Sequence, residues 1–183
     1  SILLWGDNGR RYILVALVED PNGEQIIRNL VFPVEKAIQK SVKVMISSDG
    51  SVHVEHLVRS SNTPVQVELI YGTVSNLSVT SVEGEEKQFS VVGDNMGVLI
   101  FPSSEDSIVE YELQHALSQI DNVWTWSFRY LETTSFFLPE EADLIFANEK
   151  PIFLDEKKGI ACHGCQMVLE YSIGEPKTLD RKS

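Results

Sequence analysis

The chain has 183 residues, 43% of them hydrophobic and 23% charged, with a formal net charge of −12 at pH 7. That length and apolar content suit one sizeable core or two small ones, and the acidic balance argues against a surface for nucleic acid or anionic lipid, since either needs a basic footprint. No segment is long and apolar enough to read as a membrane-spanning helix.

The chain begins at Ser1 with no signal-peptide pattern, which reads as a processed or trimmed piece whose leader or anchor lies outside it. Residues 11–19 form an apolar run, Asp20-Pro21-Asn22-Gly23 is a turn, and Gln25 to Phe32 is apolar again, so a hairpin is expected. Trp5-Gly6-Asp7-Asn8-Gly9 reads as an earlier turn. Pro33 ends the second strand because proline cannot donate to a ladder. Residues 34–40 form a loop or at most one helical turn. Val42, Val44 and Ile46 then alternate with other residues, Ser48-Asp49-Gly50-Ser51 turns, and Val52, Val54, His56 and Val58 share one strand face. His53, Glu55, Leu57 and Arg59 share the opposite face.

Further strands are expected at Val65 to Tyr71, Leu77 to Val82, Gln88 to Val92, Met96 to Phe101 and Ile108 to Leu113. In the last of these, Val109, Tyr111 and Leu113 face one way. Residues 114–120 form a short helix or a loop. Trp124, Trp126, Phe128 and Tyr130 give the strongest two-residue period in the chain, an aromatic row suited to the floor of a core. Ser135 to Leu138, Leu144 to Ala147, Pro151 to Leu154 and Ile160 to Ile173 complete the series. One glycosylation sequon occurs, Asn76-Leu77-Ser78.

About a dozen short strands with frequent turns, and no βαβ rhythm, predict an all-β fold, an antiparallel β-sandwich. We expect a single domain over 1–173, with an N-terminal hairpin (1–33) packed on it because two strands alone cannot bury a face. Residues 174–183 read as a polar tail or linker.

The hairpin Ser48-Asp49-Gly50-Ser51-Val52-His53-Val54-Glu55-His56, the strand Val109-Glu110-Tyr111, Trp124-Thr125-Trp126-Ser127-Phe128, Phe137-Leu138-Pro139-Glu140 and the closing Leu169-Glu170-Tyr171-Ser172 together resemble the extracytoplasmic β-domains of archaeal membrane-associated proteins. The resemblance runs from Val42 to Ile173. It implies a surface or sensor domain of a one-pass membrane protein and supplies no catalytic residues. The sequence departs from that pattern at Cys162-His163-Gly164-Cys165, where a plain turn is expected.

That departure is the main candidate for chemistry. Read as one strand, 160–173 places His163, Cys165 and Met167 on one face with Leu169 and Tyr171. Imidazole, thiolate and thioether together suit copper, or zinc without the methionine, with His53 or His56 as a further ligand. The competing reading is ordinary core, since cysteine and methionine are common core residues. A third is a Cys162–Cys165 disulfide: a straight strand would hold the Cα atoms ~10 Å apart, beyond bridging reach, but a turn at Gly164 allows it. His53 and His56 fall on opposite strand faces and make no joint site. Acidic pairs such as Glu85-Glu86, Glu140-Glu141 and Asp155-Glu156 read as solvated loops. No nucleophile elbow, zinc-protease helix motif or phosphate loop is present.

The expectation is therefore a non-enzymatic extracytoplasmic or cell-surface domain for binding, sensing or scaffolding, anchored by a segment outside this sequence. Its partner is another protein or its own membrane-anchored remainder, with no nucleic acid and no membrane insertion by this segment. The alternative is a copper- or zinc-binding domain using the 162–167 stretch, and a third reading is a scaffold subunit of a membrane complex.

Overall fold

The computed structural model describes residues 2–7, 11–19, 25–33, 37–148, 151–154, 157–162 and 165–174, with side chains over 37–148, 159–161 and 166–174. Every regular element among them is a strand. The chain divides into two compact units, 1–37 and 38–183.

In the first unit, β1 (Ile2–Asp7), β2 (Arg11–Glu19) and β3 (Gln25–Pro33) form an antiparallel sheet in that order. The β2–β3 ladder is unbroken from Arg11↔Pro33 to Glu19↔Gln25, as the turn signal Asp20-Pro21-Asn22-Gly23 in the sequence leads one to expect. The other edge of β2 is also used. β1 pairs along it from Ile2↔Ala16 to Asp7↔Arg11, so residues 5–7 are strand where a turn was expected. The nine-residue β2 has two edges to satisfy, and the apolar run Ile2 to Trp5 supplies the second partner.

The second unit holds the remaining strands. These are β4 (Gln39–Ile46), β5 (Val52–Val58), β6 (Val65–Glu68), β7 (Thr73–Ser81), β8 (Phe89–Val92), β9 (Gly97–Ile100) and β10 (Ser107–Gln114). They are followed by β11 (Ser118–Ile120), β12 (Val123–Tyr130), β13 (Thr134–Phe137), β14 (Ala142–Ala147), β15 (Pro151–Leu154), β16 (Lys157–Cys162) and β17 (Cys165–Ile173). A seven-stranded sheet runs β15-β16-β13-β4-β5-β10-β7, a four-stranded sheet β11-β12-β17-β14, and a three-stranded sheet β6-β9-β8. All pairs are antiparallel except β13 with β4.

Period-two burial decides which face of each strand is the core. On β5, Val52, Val54, His56 and Val58 are buried and the residues between them are not. On β10 the buried set is Val109, Tyr111 and Leu113, joined by Ser107 at the strand's start. On β12, Trp126, Phe128 and Tyr130 are buried, with Trp124 half-buried against the same core. Phe128 meets Phe136 of β13 edge to face at 4.7 Å, and Trp126 meets the same ring at 5.7 Å. Those T-shaped contacts join the four-stranded sheet to the seven-stranded one, giving a sandwich whose centre is aromatic.

Three departures from the expected layout have physical causes. Residues 114–120 are neither helix nor simple loop: the chain turns through His115, in the left-handed region at φ 59°, and enters β11, which pairs with β12. Tyr71 follows the apolar phase of Val65, Val67 and Leu69, yet it is 93% exposed. β6 ends at Glu68, and Leu69 and Ile70 are both buried, so the alternation ends before Tyr71. Most consequential, residues 160–173 are not one strand. β16 pairs with β13 in the large sheet and β17 with β12 in the small one, so Cys162 and Cys165 belong to different sheets. Ile160 is buried in the core beneath the first sheet and Met167, Leu169 and Tyr171 beneath the second, so this stretch of chain serves both layers. Asn148 continues the β14 edge of that ladder with its side chain, donating from Nδ2 to the Gln166 carbonyl (2.9 Å) and accepting from the Val168 N–H (3.1 Å).

Candidate functional site

Of the residues expected to bind metal, Met167 lies in the centre of the core with no exposed surface, opposite Phe128 on β12. Its thioether therefore serves packing. His163 lies outside the described residues, as do the side chains of Cys162 and Cys165, and with them the disulfide. The backbone of Cys162 pairs with Thr134 and that of Cys165 with Tyr130. Among the described residues no group of three or more His, Cys, Asp or Glu is arranged to hold a metal ion.

The two histidines of β5 diverge, as their spacing requires. His53 lies half-buried on the outer face, with Nδ1 2.9 Å from Glu112 Oε1 and Nε2 3.4 Å from Glu110 Oε1. His56, in phase with Val52, Val54 and Val58, is fully buried. It is the hub of a hydrogen-bonded chain that the sequence pattern did not announce. Its Nδ1 is 2.6 Å from Gln39 Oε1 and its Nε2 is 2.8 Å from the Tyr111 hydroxyl. The Tyr111 oxygen also accepts from the Ile70 N–H at 2.9 Å. Gln39 Nε2 donates to the Tyr130 hydroxyl at 3.0 Å, and that hydroxyl donates to the Glu68 carbonyl at 2.5 Å.

These contacts fix every proton. Tyr130 has one hydrogen and spends it on the Glu68 carbonyl, which can only accept. The Gln39 amide must then present its NH₂ to Tyr130 and its oxygen to His56. An amide oxygen cannot donate, so His56 carries its proton on Nδ1. Nε2 is left as an acceptor for the Tyr111 O–H, whose oxygen takes the Ile70 N–H. Each member is satisfied with a neutral imidazole.

Electrostatics agree with that assignment. Burial holds the His56 pKa down to about 4 and pushes the Tyr130 hydroxyl up to about 12, while raising Tyr111 further still. The rings reinforce the chain: His56 stacks on Tyr111 at 5.5 Å and meets Tyr130 edge-on at 5.9 Å. Gln39 comes from β4, His56 from β5, Tyr111 from β10, Tyr130 from β12, and Glu68 and Ile70 from the end of β6 and just beyond. The chain thus ties all three sheets of this unit together.

Where it reaches the surface it floors a cleft. The cleft has a volume of about 180 Å³ and is lined by Ile38, Gln39, Gln66, Glu68, Tyr130, Leu131 and Glu132. Leu131 is 78% exposed and Ile38 51% exposed, so two aliphatic side chains stand beside the opening. Glu68 and Glu132 are exposed carboxylates, and both add negative potential at the Tyr130 hydroxyl. The cleft offers a rigid polar floor, an apolar flank and hydrogen-bond acceptors of negative charge. Sequence reasoning missed it because its parts lie 94 residues apart, from Ile38 to Glu132. One signal was available: a histidine in the buried phase of an otherwise all-valine strand face.

No protein-family model matches the chain, and no curated protein matches it. Among solved structures it is similar to an aminopeptidase N family protein from Idiomarina loihiensis, with a TM-score of 0.51 and 8% identity over 70% of this chain and 29% of that one. A mutant of a two-domain zinc metallopeptidase bound to L-arginine aligns with a TM-score of 0.36 and 11% identity, over 77% of this chain and 44% of that one. At these identities the first likeness is one of fold, and the chain spans less than a third of that neighbour's length.

Proposed function

We infer that the chain is a non-enzymatic extracytoplasmic domain of a membrane-anchored protein, acting in binding, sensing or scaffolding, and that it recognises its protein partner through the cleft over Tyr130. The observation that carries the recognition part of this reading is the cleft itself, with exposed Ile38 and Leu131 beside a floor held by the His56 chain. Pockets that bind join an apolar lining to a few fixed polar groups. The volume of about 180 Å³ is below the ~300–1,000 Å³ typical of sites for drug-sized molecules. It suits a projecting side chain of a protein partner better than a free cofactor.

The chemistry of the buried chain supports the non-enzymatic part. His56 and Tyr111 form a histidine–hydroxyl pair at 2.8 Å, the kind of contact a general base makes. Here both are buried and saturated by Gln39 and Ile70, so neither is free to meet a substrate. The aminopeptidase N family neighbour supports the modular part, because the likeness covers 29% of that longer chain. The fold occurs there as one portion of a larger protein.

The test has two arms in intact cells of the source organism. A cysteine introduced at exposed Gln114 reports location through a membrane-impermeant maleimide. A benzophenone side chain introduced at Leu131 reports binding under irradiation, with the same group at Gln114 as control. Labelling at Gln114 and a discrete, identifiable protein adduct from Leu131 alone are the expected results. Absence of labelling in intact but not lysed cells overturns the location, and equal adduct patterns from both positions overturn the cleft as the recognition surface.

A further inference from the structure

We propose that the cleft receives a lysine or arginine side chain of the partner protein, with Glu68 and Glu132 meeting the cation and Ile38 and Leu131 covering its methylene stem. This rests on the binding reading above and specifies its chemistry.

The argument starts from what the two carboxylates lack. Neither Glu68 nor Glu132 forms an ion pair among the described residues. The three lysines whose side chains are described are engaged elsewhere: Lys40 pairs with Asp106 and Lys43 with Glu55. Lys87 Nζ donates into a set of oxygens from Ser103, Glu105, Asp106 and Ser107. None of the three is available to neutralise the cleft. The floor brings no positive charge to offset them, because its polar groups, the Gln39 amide, the Tyr130 hydroxyl and the Glu68 main-chain carbonyl, are neutral and engaged with one another or with His56. A carboxylate or phosphate ligand would meet Glu68 and Glu132 at close quarters and be repelled.

The flank makes the choice more specific than charge alone. Leu131 and Ile38 are both exposed aliphatic side chains, and both line the same cleft. An inorganic cation would leave them in water. A lysine or arginine lays its apolar stem along such surface while its head stays with carboxylates. The chain's net charge of −12 adds long-range attraction for a basic partner.

Methyl-labelled protein, observed by NMR at Ile38 and Leu131, gives the test, using the full chain. The probes are blocked tripeptides, acetyl-Gly-X-Gly-amide, with X lysine, arginine, norleucine, glutamine or glutamate. We expect lysine and arginine peptides to shift both methyl signals saturably, and raising the salt to weaken the effect. The double variant E68Q/E132Q should bind them at least tenfold more weakly. Both side chains are exposed, and unchanged core methyl signals confirm that the variant folds. Equal shifts from norleucine or glutamine overturn the cation assignment and leave the binding reading standing. No shift from any peptide overturns the assignment as well, while the Leu131 crosslink judges the binding reading on its own.

Discussion

At the residue scale His56 ties stability to pH in mildly acid solution. Its pKa is about 4 in the fold and 6.5 when unfolded. Above pH ~6.5 the imidazole is neutral in both states and the fold keeps its full advantage. As pH falls below that value the unfolded chain takes up a proton that the folded chain refuses, so stability drops. Between pH ~6.5 and ~5, before carboxylates dominate, the loss should be about 2 kcal/mol. Urea unfolding across that window should show it, and the slope should flatten in His56→Gln. An unchanged slope in the variant would assign the effect to other groups.

Tyr171 makes the opposite point. Its ring stacks on Trp124 at 6.4 Å, but its buried hydroxyl has no hydrogen-bond partner among the described residues. A buried orphan of this kind costs about 1–3 kcal/mol. Tyr171→Phe should therefore raise stability, by about 1 kcal/mol in chemical denaturation, whereas a loss of that size would mean the hydroxyl has a partner. Nothing in the sequence distinguishes Tyr171 from Tyr111: both lie in the buried phase of a strand. Only the neighbours brought in from other strands make one satisfied and the other not.

At the scale of elements, period two carried most of the reading. The aromatic row of β12 and the valine face of β5 were legible because each strand buries one face against a neighbouring layer. What period two cannot reveal is where a strand changes partners. Residues 160–173 alternate well enough to read as one strand, yet Cys162 and Cys165 belong to different sheets. The parallel pairing of β13 with β4 was equally invisible, since alternation carries no direction. The turn at Gly50 was legible as a hairpin but not as a packing site. Gly50 has φ 82°, and a Cβ there would run into the Trp124 ring. Gly50→Ala should cost about 2–4 kcal/mol, combining the left-handed backbone penalty with overpacking. In a Trp124→Ala background the same change should cost only the backbone part, about 1–2 kcal/mol. A double-mutant cycle with no coupling would contradict the contact.

At the scale of the molecule, composition foretold an acidic chain and the series of short strands and turns an all-β fold, and the fold of the second unit is a sandwich whose aromatic core joins a seven-stranded sheet to a four-stranded one. The cleft was not legible, because it needs β4, β6 and the end of β12 brought together by a hydrogen-bonded chain whose members lie far apart in sequence. The account's central claim is that this end of the sandwich, rather than an open sheet edge such as β14 with its exposed Ile145 and Phe146, is where a partner sits. Amide hydrogen exchange on the chain, with and without the partner captured at Leu131, tests it most directly. The account predicts slowed exchange at residues 38–39, 66–68 and 130–132, with β14 and β7 unchanged. Protection centred on β14 or β7, with the cleft unaffected, would contradict it.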